Sequence, residues 1–137
     1  PRRPLRKAVT RDFKRLAKRM DRARQSPEGP ERDAAAHAAR KAAKRLRYAA
    51  ETARPAHGKA AKRYARRVRR LQDLLGAHQD AVVTRAALRE LAAEADAAGE
   101  PSFAYGVLYA REERAAADTL AALPEAWRDL RAHRPLT

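Results

Sequence analysis

Residues 34–51 read AAAHAARKAAKRLRYAAE, and this stretch decides the fold because alanine fills nearly every position that is not a cation. Alanine, leucine, arginine and lysine all have high helix propensity, so the stretch predicts a helix. At about 100° per residue, one side of this helix contains Ala35, Ala39, Ala42, Leu46, Ala49 and Ala53. Small side chains allow neighbouring helices to approach, so we expect this side to pack closely.

The opposite side of the same helix is cationic. Within about 60° of His37 lie Arg40, Lys41, Lys44, Tyr48 and Glu51, with Arg47 only slightly outside. Helices usually place acids three or four residues from their cations, yet no acid lies between His37 and Arg47. A polyvalent anion would supply the missing countercharge, because arginine binds phosphate through planar forks, lysine is a mobile point charge and Tyr48 has a hydroxyl donor. The alternative is that these cations form an ordinary solvated face that binds no anion.

The whole chain is biased towards basic residues. Its 137 residues contain 32 Lys and Arg against 17 Asp and Glu, a formal net charge of +15. Residues 1–75 hold 25 basic and 7 acidic side chains, whereas residues 76–137 hold 7 basic and 10 acidic ones. A field of one sign concentrates anions and speeds their association. We therefore expect the first half to meet an anion, since solubility alone does not require this imbalance.

Apolar periodicity predicts an all-α fold. Strand-type alternation is absent, and apolar residues recur every three or four positions in four segments. These segments run from Leu5 to Ala23, from about 31 to 54, from Tyr64 to Gly99 and over residues 102–122. Four long helices with short connections predict an antiparallel four-helix bundle. No linker separates two domains, so residues 1–137 are expected to form a single bundle.

Glycine and proline mark the predicted helix ends. The segment SPEGPE ends the first helix, and Pro55 with Gly58 stops the second. Gly76 either weakens one long third helix or divides it into two. Pro124 is expected to start a short final turn that holds Trp127.

Several kinds of chemistry find no support in the sequence. The chain has no cysteine, and His37, His57, His78 and His133 share no short ligand spacing, so no metal site is predicted. Neither carboxylates suited to Mg²⁺ nor a Gly-rich phosphate cradle lies near the basic stripe, so we expect a binding module without catalytic residues or cofactor. No segment approaches the roughly 20 apolar residues of a membrane span. A cytoplasmic protein with no membrane partner is predicted.

Two further helices carry basic faces. The first helix places Arg11, Lys14, Arg15, Lys18 and Arg22 opposite its apolar seam, and the third places Lys62, Arg66, Arg69 and Arg70 opposite its own. We expect the three basic faces to converge. A nucleic-acid-binding helical protein is the strongest alternative, although Tyr48 alone in the main stripe could stack on a base. A third possibility is a module that binds acidic protein surfaces.

Two segments carry a resemblance to a known family. HAARKAAKRLRYAAE (37–51) and RRLQDLLGAHQDAVVTRAALREL (69–91) resemble the CHAD family, the conserved histidine α-helical domain. The first segment matches the pattern His-x-x-Arg-Lys-x-x-Lys-Arg-Leu-Arg-Tyr, and the second matches Leu-Gln-x-x-Leu-Gly-x-x-x-Asp. FAYGVLYAREER (103–114) and Trp127 are similar to the C-terminal region of that family. The resemblance thus extends over nearly the whole chain.

The resemblance implies a domain of two similar four-helix halves, with a basic cavity between them that binds inorganic polyphosphate. This chain resembles the C-terminal half, and it contains no second copy of the histidine helix. Either it carries half of a binding surface and pairs with a missing N-terminal half, or two copies pair as a homodimer. Inorganic polyphosphate is the predicted partner, with association to polyphosphate granules, and other polyanions including nucleic acid are the alternatives.

The resemblance also implies which residues face the ligand. They are His37, Arg40, Lys41, Lys44, Arg47 and Tyr48, and Arg45 of the same motif is added to the predicted site. Helical geometry alone adds Arg11, Lys14, Lys18, Lys62, Arg66, Arg69 and Arg70. Gln72, Gly76, Asp80 and Glu51 are expected to pack and to orient neighbouring cations.

Overall fold

The computed structural model describes residues 2–133 and 135–136, and in this part of the chain it is helical with no strand. The helices are α1 (Arg2–Gln25), α2 (Pro30–Thr52), α3 (Arg54–Ala97) and α4 (Phe103–Ala132). Each helix packs against the next one along the chain. The rings of Phe13 and Trp127 stack with centroids 5.8 Å apart, which links α1 to α4. The predicted all-α bundle is confirmed.

The core combines large side chains from α1, α3 and α4 with alanines from α2. Leu16, Met20, Leu71, Leu75 and Leu130 are fully buried. In α2 the fully buried positions include Ala39, Ala43 and Ala50, together with Leu46. Because alanine has almost no side chain, α2 packs closely between α1 and α3. This packing leaves the cationic side of α2 facing outwards.

The connection between α2 and α3 differs from the sequence prediction. The helix α2 ends at Thr52, and only Ala53 separates it from α3, whose first turn contains Pro55. Proline is tolerated there because its missing N–H would have no helical partner. Gly58 has φ 55° and ψ −128°, so it kinks α3 without ending it. The second helix therefore ends within two residues of its predicted end at about residue 54, but Pro55 and Gly58 lie at the start of α3 and not in a loop.

The helices are continuous through both Gly76 and Pro124. The helix α3 continues through Gly76, so one long helix is the correct alternative. The helix α4 continues through Pro124 to Ala132, and the predicted separate final turn is wrong. Proline removes one helical hydrogen bond. Burial of Trp127 and Leu130 just beyond Pro124 keeps the chain helical.

The helices α3 and α4 are longer than the rest of the bundle. At about 1.5 Å per residue, the part of α3 beyond Gly58 is about 60 Å long, whereas α1 and α2 are about 35 Å long. Between residues 82 and 118, Leu88, Ala95 and Ala116 are the buried residues. The distal ends of α3 and α4 therefore form an antiparallel hairpin, which we call the distal hairpin (residues 82–118). None of the described helices is long and apolar enough to cross a membrane.

Candidate functional site

A basic groove runs between α1 and α2. It has a volume of about 330 Å³, and its lining residues are Arg15, Arg19, Ala34, His37, Ala38, Lys41, Ala42 and Arg45. Four are arginine or lysine, one is histidine and three are alanine. None of the described residues that line the groove is acidic. Because alanine side chains are small, they form the bottom of the groove and leave it open between the cationic side chains.

The outer side of α1 extends this basic surface. A second depression of about 700 Å³ is lined by Lys14, Arg15, Lys18, Arg19, Asp21, Arg22 and Gln25. It shares Arg15 and Arg19 with the groove, so the two depressions are contiguous. Lys14 and Lys18 therefore belong to the same basic surface as His37, although they do not line the groove itself.

On the other flank of α2, Arg40 lies against α3. A Cβ atom at Gly76 would be 3.3 Å from Arg40 Nε, so the missing side chain of Gly76 makes room for this arginine. Arg40 Nε is buried and has no hydrogen-bond partner among the described residues. Buried donors without a partner cost free energy. Arg40 Nε is therefore positioned by packing against α3 at Gly76.

Tyr48 organises two of the predicted cations. Its ring is half exposed, and the guanidinium carbon of Arg47 lies 5.0 Å and Lys44 Nζ 5.8 Å from its centroid. These distances are within the range of cation–π attraction. Arg47 Nε is also 3.6 Å from Glu51 Oε1, which is longer than a hydrogen bond. Both Lys44 and Arg47 thus lie near the Tyr48 ring, and Glu51 lies near Arg47.

His37 and Asp12 support the groove from its two walls. His37 is half-buried, and its Nδ1 has no hydrogen-bond partner among the described residues. Asp12 is buried in α1, with Oδ1 3.5 Å from Arg11 Nε and 3.9 Å from Arg15 Nη1. The Asp12 carboxylate thus lies near the guanidinium of Arg15, a residue that also lines the groove. Arg11 is occupied by Asp12 and lines neither depression.

The predicted cations of α3 lie apart from the groove. Arg66, Arg69 and Arg70 line a depression with Asp73 and Leu74, and this depression shares no residue with the groove. Arg70 Nη2 lies 3.7 Å from Oε1 of Glu125 in α4. Lys62 is exposed. The structure therefore brings the faces of α1 and α2 together, but it does not bring the α3 face into the same groove.

Sequence reasoning missed Arg19 as a lining residue of the groove. The cations predicted to lie opposite the seam of Phe13 and Leu16 include Arg15 but not Arg19; they are Arg11, Lys14, Arg15, Lys18 and Arg22. Arg15 and Arg19 are four residues apart on α1, and both line the groove beside α2. The four-residue spacing was a usable signal, but only the packing of α1 on α2 identifies the relevant edge.

The matched motifs and this geometry agree with a comparison against protein families. The family described as "CHAD domain" matches residues 1–89, which include the histidine helix and the motif around Gly76. The chain belongs to the CHAD domain family. CHAD domains are associated with polyphosphate binding in general, and they are generally binding domains without catalytic activity. The match ends at residue 89, so the resemblance expected for residues 103–114 and Trp127 lies outside it.

Curated relatives of this CHAD chain are uncharacterised proteins from two strains of Mycobacterium tuberculosis. Each is 44% identical over 81 residues, which cover 59% of this chain and 15% of the relative. The match therefore spans a small part of the length of these relatives. No solved structure gives a significant match. Among the described residues, no group of three or more His, Asp or Glu side chains could hold a metal ion.

Proposed function

We propose that this CHAD chain binds inorganic polyphosphate along the basic surface of α1 and α2. The observation that carries the proposal is the groove between these helices, where four cationic side chains and His37 surround a floor of alanine without any acidic residue. A strongly basic surface lined in this way requires countercharge, and a chain of phosphates supplies it with many oxygens.

The shape of the surface favours an extended polymer over a single phosphate. The groove is open and continues over the outer side of α1 through Arg15 and Arg19. Arginine forks bind successive phosphates, while Lys41 neutralises charge without a fixed geometry. His37 lines the groove, and its buried Nδ1 has no hydrogen-bond partner in the described part of the chain. On the other flank of α2, Arg40 and the group formed by Lys44, Arg47 and Tyr48 extend the proposed contact with polyphosphate.

The proposed role is that of a non-catalytic binding module. Cytoplasmic location and association with polyphosphate granules form part of this proposal. The proposal also includes completion of the binding surface, either by an N-terminal half-domain or by a second copy of this chain. The mass of the protein in solution, with and without polyphosphate, distinguishes a homodimer from a monomer.

Calorimetric titration tests the proposal. Long-chain polyphosphate is titrated into the purified chain at moderate and high salt, with pyrophosphate and duplex DNA as comparators at equal phosphate concentration. We expect polyphosphate to bind more tightly than both and its affinity to fall with salt, because binding releases counterions. Binding to DNA that equals or exceeds binding to polyphosphate would favour a nucleic-acid-binding protein and contradict the proposal.

A pair of charge reversals locates the site. Lys41→Glu in the groove and Arg111→Glu on the distal hairpin change the net charge equally, and Arg111 is exposed. Hydrogen bonds to charged groups contribute about 1.5–3 kcal/mol, so Lys41→Glu should weaken polyphosphate binding at least about tenfold. Arg111→Glu should leave it nearly unchanged. Equal losses in both variants would show that net charge, and not the groove, governs binding.

A further inference from the structure

A further basic depression lies where the first turns of α1 and α3 meet, and we call it the terminal depression. It has a volume of about 930 Å³, and its lining includes Arg2, Arg3 and Arg6 of α1 and His57 of α3. His57 Nε2 lies 3.4 Å from the carbonyl oxygen of Arg2, so the two helix starts are in contact. None of the described residues that line the depression is acidic. It shares no lining residue with the groove or with the depression on the outer side of α1.

The three arginines of the terminal depression have no countercharge within the described part of the chain. Arg6 Nη2 donates to the carbonyl of Leu136 at 3.2 Å, and this acceptor carries no net charge. No ion pair among the described residues involves Arg2, Arg3 or Arg6. Like charges in one depression repel one another, and a phosphate group relieves this repulsion because it accepts hydrogen bonds from several guanidinium groups. The terminal depression is therefore suited to an anion of the phosphate type.

A row of exposed cations on the outer side of α1 leads from the terminal depression towards the groove. Its members lie within about 60° of one another around the helix, and they are Arg3, Lys7, Lys14 and Lys18. Arg3 lines the terminal depression, whereas Lys14 and Lys18 line the depression that is contiguous with the groove. Asp12 is the single acid among residues 2–20, and it is buried. No carboxylate therefore interrupts this outer row between its two ends.

The length of the outer row determines which anions reach both of its ends. Arg3 and Lys18 lie in one continuous helix, and at 1.5 Å per residue they are about 23 Å apart along its axis. Tripolyphosphate is too short to reach both ends, whereas a long polyphosphate chain can follow the row. Once a long chain occupies the groove, its binding to the terminal depression is intramolecular, which adds affinity without a second encounter in solution. Long chains therefore gain affinity that short chains lack.

We propose that the terminal depression is a second polyphosphate subsite, which long chains occupy together with the groove by following the outer row of α1. This inference rests on the function proposed above and extends it to chain length. Short chains bind mainly in the groove, because its lining has four arginine and lysine residues against three in the terminal depression. Two subsites connected in this way make the protein selective for long polyphosphate.

Calorimetric titration of Arg3→Glu with two chain lengths tests the proposal. Arg3 is exposed, and the first turn of a helix favours acidic side chains, so the variant should fold. Its affinity for long-chain polyphosphate should fall at least about tenfold, because linking two subsites raises affinity by about 10²–10⁴. Its affinity for tripolyphosphate should stay nearly unchanged, since the groove is intact. Equal losses at both lengths, or no loss with the long chain, would overturn the proposal.

Two matched charge reversals show whether the outer row itself is used. Lys7 lies in the middle of the row and lines none of the three depressions, so Lys7→Glu should weaken binding of the long chain but not of tripolyphosphate. Arg111→Glu on the distal hairpin is the control and should leave both affinities nearly unchanged. A loss in Arg111→Glu equal to that in Arg3→Glu would mean that net charge governs chain-length selectivity, which contradicts the proposal.

Lys41→Glu separates a failure of this inference from a failure of the function proposed for the groove. Lys41 lines the groove, so its reversal should weaken binding of both chain lengths. If Lys41→Glu weakens neither, the proposed function of the groove is wrong. If it weakens both while Arg3→Glu and Lys7→Glu bind the long chain normally, only the second subsite is wrong. Far-ultraviolet circular dichroism checks that all variants fold.

Discussion

At Gly76 the absence of one side chain connects the packing of α3 with the position of a predicted ligand residue. Glycine in a helix interior costs about 1 kcal/mol relative to alanine. The position nevertheless holds glycine, and a Cβ atom there would be 3.3 Å from Arg40 Nε. Arg40 could remain only by moving a few tenths of an ångström. The helix therefore loses stability at Gly76 and gains a defined position for Arg40.

This leads to a prediction in which stability and binding change in opposite directions. Gly76→Ala should raise the free energy of unfolding by about 0.5 kcal/mol, because the gain in helix propensity exceeds the cost of displacing a flexible side chain. It should also weaken polyphosphate binding several-fold. Urea denaturation and calorimetry measure the two effects.

Gly106→Ala is the control for this substitution. Gly106 lies in α4, and a Cβ atom there has no neighbour within 4 Å. This variant should gain stability without any change in binding. If Gly76→Ala binds polyphosphate as the unmodified chain does, Gly76 does not set the position of Arg40.

His78 gives a prediction about pH at the same scale. Because its pKa is lowered in the folded state, the unfolded chain binds the proton more readily. Stability is therefore complete above the unfolded pKa of about 6.5 and falls as the pH drops below it towards the folded pKa. The urea midpoint should fall between pH 7 and pH 5.5, and His78→Gln should reduce this fall. Equal pH profiles for both proteins would remove His78 as the cause.

At the scale of helices, the start of α3 depends on a backbone conformation that suits only glycine. Gly58 has φ 55° and ψ −128°, which produces a kink between the first turn of α3 and its long remainder. A residue with a Cβ atom rarely adopts these angles. The kink lets α3 follow α2 after the single residue Ala53 and still run antiparallel to it.

We therefore expect Gly58→Ala to destabilise the bundle. The substitution should lower the free energy of unfolding by about 1–2 kcal/mol, because alanine at these angles is strained. Crowding is not the reason, since a Cβ atom at Gly58 would have no neighbour within 4 Å among the described residues. Urea denaturation measures the loss, with Gly106→Ala as the control. An unchanged midpoint would mean that the start of α3 relaxes into another conformation without cost.

At the scale of the whole molecule, the distal hairpin is much less buried than the bundle. Its exposed apolar residues include Val83, Leu91, Val107 and Leu108, and Phe103 is 83% exposed. Two helices that bury only one face each have less tertiary stabilisation than helices within a bundle. The proximal part of α3, by contrast, buries Val68, Leu71 and Leu75.

Hydrogen exchange should reveal this difference along one continuous helix. Amides of α3 beyond about residue 84 should exchange faster than those of residues 61–78, because local opening needs less free energy where fewer apolar contacts are lost. Mass spectrometry of peptides from the two parts measures the rates at low protein concentration. Equal protection would indicate that the hairpin is covered, for example by a second copy, and the mass in solution would then be dimeric.

The sequence by itself determined the helices and the chemistry of α2. Periods of three and four residues are local properties, so the four helical segments and the two sides of α2 follow directly from the order of Ala, Leu, Arg and Lys. The two motifs from His37 to Tyr48 and from Leu71 to Asp80 predicted the family, which the match over residues 1–89 confirms. The predicted ligand residues on α2 all lie on its exposed or half-buried positions.

Only the tertiary structure decided which basic faces meet and where helices continue. Rotation of α1 against α2 places Arg15 and Arg19 in the groove, whereas the pairing of α3 with α4 brings Arg70 near Glu125. Helix α4 continues through Pro124 although the local signal favours a break. The physical reason is the same in each case, because burial against another helix contributes more free energy than a single local preference. Which helix becomes the neighbour cannot be predicted from the sequence of one segment.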